Sequence, residues 1–315
     1  MKKNKKFAAI DIGSHNCRLL ISEKKDNLIK TVFNSSMPTN LIKNLSYNNE
    51  FNEKNIKKTI EILSFFSKKI KSMNVFDYRC IATEACRSVV NPDFFIKKVK
   101  EKTDLNVEVI TSSEEARLSM KSCRKYISKI KSFGMIFDIG GGSTELSCFM
   151  VKPNETITKS ISYGVINYDE KCEIFSEEYV TNQLNHHFSN YFKELKNIKQ
   201  KKFSAIGSCS TVTSLCCIFL NLPFYNPKKI EGFEMGFVDV IRTINHIESQ
   251  SDNTLENHPC IGSRYLLLKS GIKILKIIFN KFPIEKLIVT QKGLRDALAE
   301  EIISNYEKNK IKQET

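Results

Sequence analysis

Glycine is scarce in this chain, with 12 in 315 residues. Alanine is thin as well, while Lys, Asn, Ile and Phe abound, the bias of an AT-rich coding sequence. No apolar run approaches the roughly 20 residues of a membrane-spanning helix, which excludes a helical membrane protein. The basic start, "MKKNKKFAAIDIG", holds an apolar run of only four residues before Asp11 breaks it, too short for a secretory leader. A cytoplasmic location with no membrane partner is therefore expected. No C-x-x-C pair stands opposite another, which argues against a zinc site. The ten cysteines fall largely in apolar segments such as "SLCCIFL", "LSCF" and "YRCIAT" and are expected as reduced core thiols. No G-x-S-x-G elbow and no Cys–His pattern offers a nucleophile for covalent catalysis.

What is present is enough for two ordinary domains: 315 residues, 41% hydrophobic and 27% charged. The formal charge of +14 has two readings. Most lysines lie in segments such as "NIKKTIEILSFFSKKIKSM", where they form the solvated face of an amphipathic helix. The other reading is a polyanion-binding surface. The first is favoured and no specific nucleic-acid partner is expected, although a basic surface suits any strongly anionic substrate.

Against so few glycines, "MIFDIGGGSTELSCF" places Gly140, Gly141 and Gly142 in a row. Glycine costs backbone entropy and forgoes packing, but it admits φ > 0 and lets a ligand approach the amides. A tight hairpin turn and an anion cradle both fit these residues. The surrounding pattern adds a second fact. "KKFAAIDIG", "HNCRLLISEKK" and "NLIKTVFNSS" read as three antiparallel strands, and the same order of strand, turn, strand, strand recurs from "FGMIFDIGGGSTELSCFMV" to "ETITKSISYG". Aligning the two superposes Asp11–Gly13 on Asp138–Gly140, an offset that implies duplication of a whole domain. Between the copies lie a helix near Glu53–Met73, a strand "FDYRCIAT", helices through "EACRSVV" and "PDFFIKKVKEKT", a strand "NVEVIT" and the "EEAR" helix. Asn91 is expected to cap the helix that Pro92 opens, and Ser112 or Ser113 the next. The second copy continues with a helix around "EEYVTNQLNHHFSNYFKEL", a strand "KFSAIG", a helix from "STVTSLCCIFL", a strand "KLIVT" and a last helix after Gly293. The expected domains are 1–122 and 123–295, with the last helix, 296–315, folding back onto the first.

Four stretches combine small residues, carboxylates and strand–helix junctions. In "DIGSHNCR", Ser14, Asn16 and Arg18 suit phosphate and Asp11 a hydrated Mg²⁺, although a plain Asp turn also accounts for them. In "DIGGGSTE", Asp138 ends a buried strand, where a carboxylate is costly without a cation or donors. Glu145 follows on the next strand, near enough to hold a metal-bound water. In "GSCSTVTSL", Gly207, Ser208 and Thr211 stand at a helix N-terminus, suited to an anion or simply to capping. In "SSEEARLS", one of Glu114 and Glu115 can face a site as general base, since neighbours on a helix diverge by about 100°. His186 and His187 read as surface residues of a helix. The chemistry suggested is metal-assisted attack of water on phosphorus.

With these residues in place, the chain resembles the exopolyphosphatase/guanosine pentaphosphate phosphohydrolase (Ppx/GppA) family, in its short two-domain alphaproteobacterial form. "AAIDIGSHNCRLLI", "ATEACRS", "EEARL", "FDIGGGSTEL", "GSCSTVTSL", "PCIGSR" and "GLRDAL" occur in that family's order, from Phe7 to about Glu301. The resemblance implies an α/β fold of two ribonuclease-H-like domains, of the actin/sugar-kinase/chaperone superfamily, flanking a cleft that closes on substrate. It implies release of the terminal phosphate of inorganic polyphosphate or of pppGpp with Mg²⁺ and water. Carried over, it puts Asp11, Asp138 and Glu145 at the metal and Glu115, narrowly ahead of Glu114, as the base. Ser14, Asn16, Arg18, Gly140, Gly141, Gly142, Ser143, Gly207, Ser208, Thr211 and Arg87 fall to phosphate. A homodimer is compatible with the family. Departures stand at His15, at Leu266 and Gln291 where the family carries Asp, and in "SSMPTNLIKNL", which lacks the family's arginine. They bear on substrate more than on reaction type. Two further readings follow: a non-catalytic binder of (p)ppGpp or polyphosphate and, less favoured, an ATP-dependent small-molecule kinase.

Overall fold

A computed structural model of the chain describes residues 4–26, 28–43, 45, 49–131, 133–151, 155–166, 173–196 and 203–314. It divides into two compact units, one of Met1–Leu118 with Leu294–Thr315 and one of Ser119–Gly293. The sequence reading set the breaks slightly later, at 122/123 and 295/296.

The first unit is built on a five-stranded sheet in the order β3-β2-β1-β4-β5. Its strands are β1 (Lys6–Ile12), β2 (Asn16–Lys25), β3 (Leu28–Pro38), β4 (Val75–Ala82) and β5 (Val107–Val109). β1, β2 and β3 form an antiparallel meander, and β4 and β5 add in parallel to the other side of β1. β1 reads Phe-Ala-Ala-Ile-Asp-Ile with every residue from Phe7 to Ile12 buried, as befits a central strand covered on both faces. One cover is the helix Leu294–Glu314, whose Leu294, Ala297, Leu298, Ile302 and Ile303 pack with Phe7, Ala9, Leu20, Ile81, Ile110 and Leu118. Each Leu or Ile so buried contributes about 1.5–3 kcal/mol against chain entropy. The helix Glu53–Ser72 turns Ile56, Ile62, Leu63, Phe66 and Ile70 inward, and the Asn52 side chain caps it by accepting from the Lys54 amide.

The second unit repeats the plan. Its six strands lie in the order β10-β11-β9-β6-β7-β8. They are β6 (Phe133–Ile139), β7 (Thr144–Met150), β8 (Glu155–Ile161), β9 (Phe203–Gly207), β10 (Glu234–Gly236) and β11 (Ile284–Val289). β6, β7 and β8 are the antiparallel meander, with β9 parallel to β6 and β11 parallel to β9. With β10 set aside, both units follow one order, third-second-first-fourth-fifth, β11 taking the place of β5. Two mixed α/β sheets of one topology are therefore what the repeated D-I-G pattern encodes. The second sheet gains β10 as an antiparallel edge, a strand too short to be legible in the sequence.

Two capping expectations fail. The Asn91 side chain makes no cap to the helix Pro92–Thr103. At φ −130° and ψ 49° the Asn91 backbone lies outside the extended conformation that aims a cap side chain at the first-turn amides. The helix Ser112–Ser122 begins with both serines inside it, and the cap is Thr111, whose hydroxyl accepts from the Glu114 amide at 3.2 Å. The nine described cysteines are buried, and none is in a disulfide. No described helix is long and apolar enough to cross a membrane.

Candidate active site

In each unit the candidate residues gather where parallel strands end, the edge at which ligands of open α/β sheets bind. In the first, the Thr83 amide donates to the Ile12 carbonyl at 3.4 Å and the Ile110 amide to the Ala82 carbonyl at 3.0 Å. Those two bonds align the segments that follow β1, β4 and β5. In the second, the Ser208 amide donates to the Phe137 carbonyl at 3.1 Å and the Thr290 amide to the Gly207 carbonyl at 3.0 Å, aligning the segments after β6, β9 and β11.

The two D-I-G loops share one turn. The Gly13 amide donates to the Asn16 carbonyl at 3.0 Å, and the Gly140 amide to the Ser143 carbonyl at 2.9 Å. A methyl on either glycine would come within 3.2 Å or 3.1 Å of that same carbonyl. Both loops are also tied back by the segment after the third strand. His15 O accepts from the amides of Thr39 and Asn40 at 2.8 and 3.0 Å, and Ser14 O from Ile42 at 3.4 Å. Gly140 O accepts from Val165 at 3.0 Å and Gly141 O from Ile166 at 2.9 Å. With its carbonyls drawn inward, the second loop leaves the amides of Gly141, Gly142 and Ser143 donating to no described residue. Consecutive amides of that kind form an anion nest.

Close approach, rather than a left-handed backbone, explains glycine here. Positive φ among the glycines is recorded at Gly232 and Gly262, outside this loop. The closest approach to the loop's backbone is at Gly164, which the sequence reading missed: a Cβ there would lie 2.5 Å from the carbonyl oxygens of both Gly140 and Gly141. "SYGV", a glycine just past the third strand, was the available signal.

Between the loops the cross-strand partner of the aspartate differs. Asp11 sits opposite Arg18 in the β1–β2 register, with Arg18 Nη1 3.5 Å from a carboxylate oxygen. Burial pushes the Asp11 carboxyl above its ordinary pKa of 3.8, and the charges of Arg18 and Arg295 oppose that rise. Asp138 sits opposite Glu145 in the β6–β7 register, so two carboxylates stand side by side on one sheet face. Ser160 donates to Glu145 Oε1 at 3.0 Å. Like charges directly opposite destabilise a sheet unless a cation joins them. Among the described residues no three of His, Cys, Asp and Glu converge as a metal cage. A pair of carboxylates that leaves the other positions to water and phosphate is the ligand set Mg²⁺ prefers.

Ser208 and Thr211 follow β9 at the N-terminus of the helix Ser210–Phe219. The Ser208 hydroxyl is buried without a hydrogen-bond partner among the described residues. Thr211 is buried against Gly271, where a Cβ would overlap its hydroxyl. Gly207 is needed for packing too, since a Cβ there would press on Val212 and Phe137.

The two glutamates of "EEAR" separate as helix geometry requires. Glu114 binds Arg117, with Nε and Nη2 at 2.7 and 2.8 Å, and Arg117 in turn binds Glu301. Arg117 holds the Glu114 carboxyl below its usual range. Glu115 is 9% exposed, and its Oε2 accepts from Arg87 Nη2 at 2.8 Å. Arg87, expected at the phosphates, also reaches Glu84 Oε2 through Nε (3.2 Å) and Nη2 (3.0 Å) and the Ile110 carbonyl through Nη1 (2.9 Å). Glu84 was overlooked, although the i,i+3 spacing in "EACR" signals the pair. Of the departures, Leu266 is exposed, and Gln291 holds a turn: its amide donates to Glu231 and its side chain to Pro227 O. His186 is exposed and His187 half-buried, bonded to Gln183.

The family model described as the Ppx/GppA phosphatase family matches residues 20–305. The chain belongs to that family. It is 28% identical over 320 residues to a bifunctional 3-dehydroquinate synthase/phosphatase of Fusobacterium nucleatum, a match covering 92% of this chain and 45% of that one. It is 24% identical over 323 residues to a guanosine-5'-triphosphate,3'-diphosphate pyrophosphatase of Photobacterium profundum, covering 98% and 61%. The chain thus spans about half to three fifths of the curated relatives it matches. Among solved structures, the Ppx/GppA family member of Aquifex aeolicus superposes with a TM-score of 0.74 at 25% identity, covering 96% of this chain and 99% of that one. An exopolyphosphatase of Cytophaga hutchinsonii gives 0.80 at 17% identity, covering 96% and 98%, a likeness of fold. This Ppx/GppA chain has the actin-like fold in two α/β units, and neither sheet among the described residues closes into a barrel.

Proposed function

We propose that this Ppx/GppA protein is a Mg²⁺-dependent phosphoanhydride hydrolase that releases the terminal phosphate of inorganic polyphosphate, of pppGpp, or of both. The observation that carries the reading is the second loop, where three consecutive amides that donate to no described residue stand beside the cross-strand carboxylates Asp138 and Glu145. Asp138 and Glu145 would hold Mg²⁺, which supplies charge neutralisation on the phosphate oxygens. Asp11, already near Arg18, is the third and weaker carboxylate for the ion. The amides of Gly141, Gly142 and Ser143, with Ser208 and Thr211, bind phosphate oxygens where charge gathers. Arg18, Ser14 and Asn16 serve the first loop in the same way. Glu115 takes the proton from the attacking water; Glu114, spent on Arg117, does not. In-line attack then needs little more than positioning and charge stabilisation.

Phosphate release from long polyphosphate and from pppGpp, assayed side by side with Mg²⁺, tests this. Release that Glu115→Gln abolishes and Glu114→Gln largely spares is expected. Binding of both compounds with no release from either would identify a sensor, and adenosine binding with transfer to an acceptor a kinase.

A further inference from the structure

Arg87 stands between two carboxylates, and the way it is shared is asymmetric. Its Nε and Nη2 both turn to one oxygen of Glu84, while only Nη2 reaches Glu115, and only at Oε2. Its remaining nitrogen, Nη1, is fixed by the Ile110 carbonyl, two residues before the helix that carries Glu115. The cluster is largely closed to solvent: the side chains of Glu84 and Glu115 are each 11% exposed and that of Arg87 17%. An arginine beside a lone carboxylate ordinarily takes both its oxygens in a fork. Glu84 prevents that by claiming one edge of the guanidinium.

We propose that Glu84 is a positioning residue for the hydrolytic step. It holds Arg87 to a single oxygen of Glu115, so that the carboxylate is oriented by Arg87 without being capped by it. The inference rests on Glu115 being the base. Without Glu84 the guanidinium is free to rotate onto both oxygens of Glu115, and the base is then engaged by its own support.

Glu84→Gln preserves the size of the side chain and removes its charge. With Mg²⁺ and whichever of polyphosphate and pppGpp the wild type hydrolyses, it is expected to lower kcat about tenfold with KM changed less than about twofold, the mark of a misplaced group that does not bind substrate. Arg87→Lys, which keeps the charge but loses the fork, is expected to lower kcat likewise. The double variant should lose no more than the worse single one, since Glu84 acts through Arg87. Glu84→Asp should recover part of kcat. Melting temperatures of all four variants separate these effects from unfolding; if Glu84→Gln does not fold, Arg87→Lys and Glu84→Asp carry the test. Wild-type kcat in Glu84→Gln, or losses that multiply in the double variant, would overturn the proposal. If Glu115→Gln itself still releases phosphate, it is the assignment of the base that fails, and the two failures are told apart by that control.

Discussion

The two D-I-G loops are the same turn used twice. Each closes with a glycine amide on the carbonyl three residues on, and each has its carbonyls drawn back by the segment after a third strand. They diverge at one cross-strand position. Arg18 faces Asp11 in the first unit, and Glu145 faces Asp138 in the second. The first loop thus pairs its aspartate with an arginine, and the second sets its aspartate beside a second carboxylate. Duplication supplied the frame, and one side chain opposite the aspartate sets the charge pattern of each copy. The glycines follow the same division. Ser14 and His15 fill the first loop where Gly141 and Gly142 stand in the second, so fewer side chains cover the backbone of the second.

Exchanging the deciding residue breaks the comparison most forcefully. Glu145→Arg gives the second loop the charge pattern of the first, and Mg²⁺-dependent phosphate release should fall about 10³-fold, the several kcal/mol a metal contributes. Arg18→Glu is expected to cost about tenfold, mostly in KM, because it removes a phosphate contact and leaves the second loop intact. Gly164→Ala probes the shared tie-back: its methyl meets two backbone carbonyls that have no side chain to give way, so the variant should lose about 1–3 kcal/mol in thermal unfolding. Gly293→Ala meets nothing within 4 Å and serves as the tolerated control.

The smallest expected effect is a change in pH dependence. Burial raises the Asp11 carboxyl above 3.8, so the folded chain holds that proton to higher pH than the unfolded chain does. Its favourable contribution is full below the ordinary carboxylate value, is lost as pH rises through the raised one, and remains lost above both. Asp11→Asn should accordingly melt a few degrees higher than wild type near neutral pH, with the gap closing toward pH 4 and activity reduced. Thermal melts from pH 4 to 8 measure it. A variant less stable than wild type at pH 7 would mean Arg18 outweighs burial.

Much of this was legible in the residues. Strand–turn–strand repetition around Asp11–Gly13 and Asp138–Gly140 announced two sheets of one topology, because buried central strands read as unbroken apolar runs ending in a carboxylate. Glu114 and Glu115 were recognised as a pair of which one would face inward, but only packing against Arg87 and Arg117 shows which. Arg87 itself was assigned to phosphate because an arginine in sequence carries its charge and not its partners; Glu84 and the Ile110 carbonyl take its nitrogens. Gly164 gave almost no signal, since the carbonyls it spares belong to a loop more than 20 residues earlier. The cap at Thr111 was missed by one position, as neighbouring hydroxyls compete for the same amides.

The most direct test of the unequal loops is Mn²⁺ binding, followed by electron paramagnetic resonance with excess imidodiphosphate as a non-hydrolysed phosphoanhydride. The account predicts that wild type and Arg18→Glu take up one tightly held ion and that Glu145→Arg takes up none. Retention of the ion by Glu145→Arg, with its loss from Arg18→Glu, would place the metal in the first loop and contradict the account.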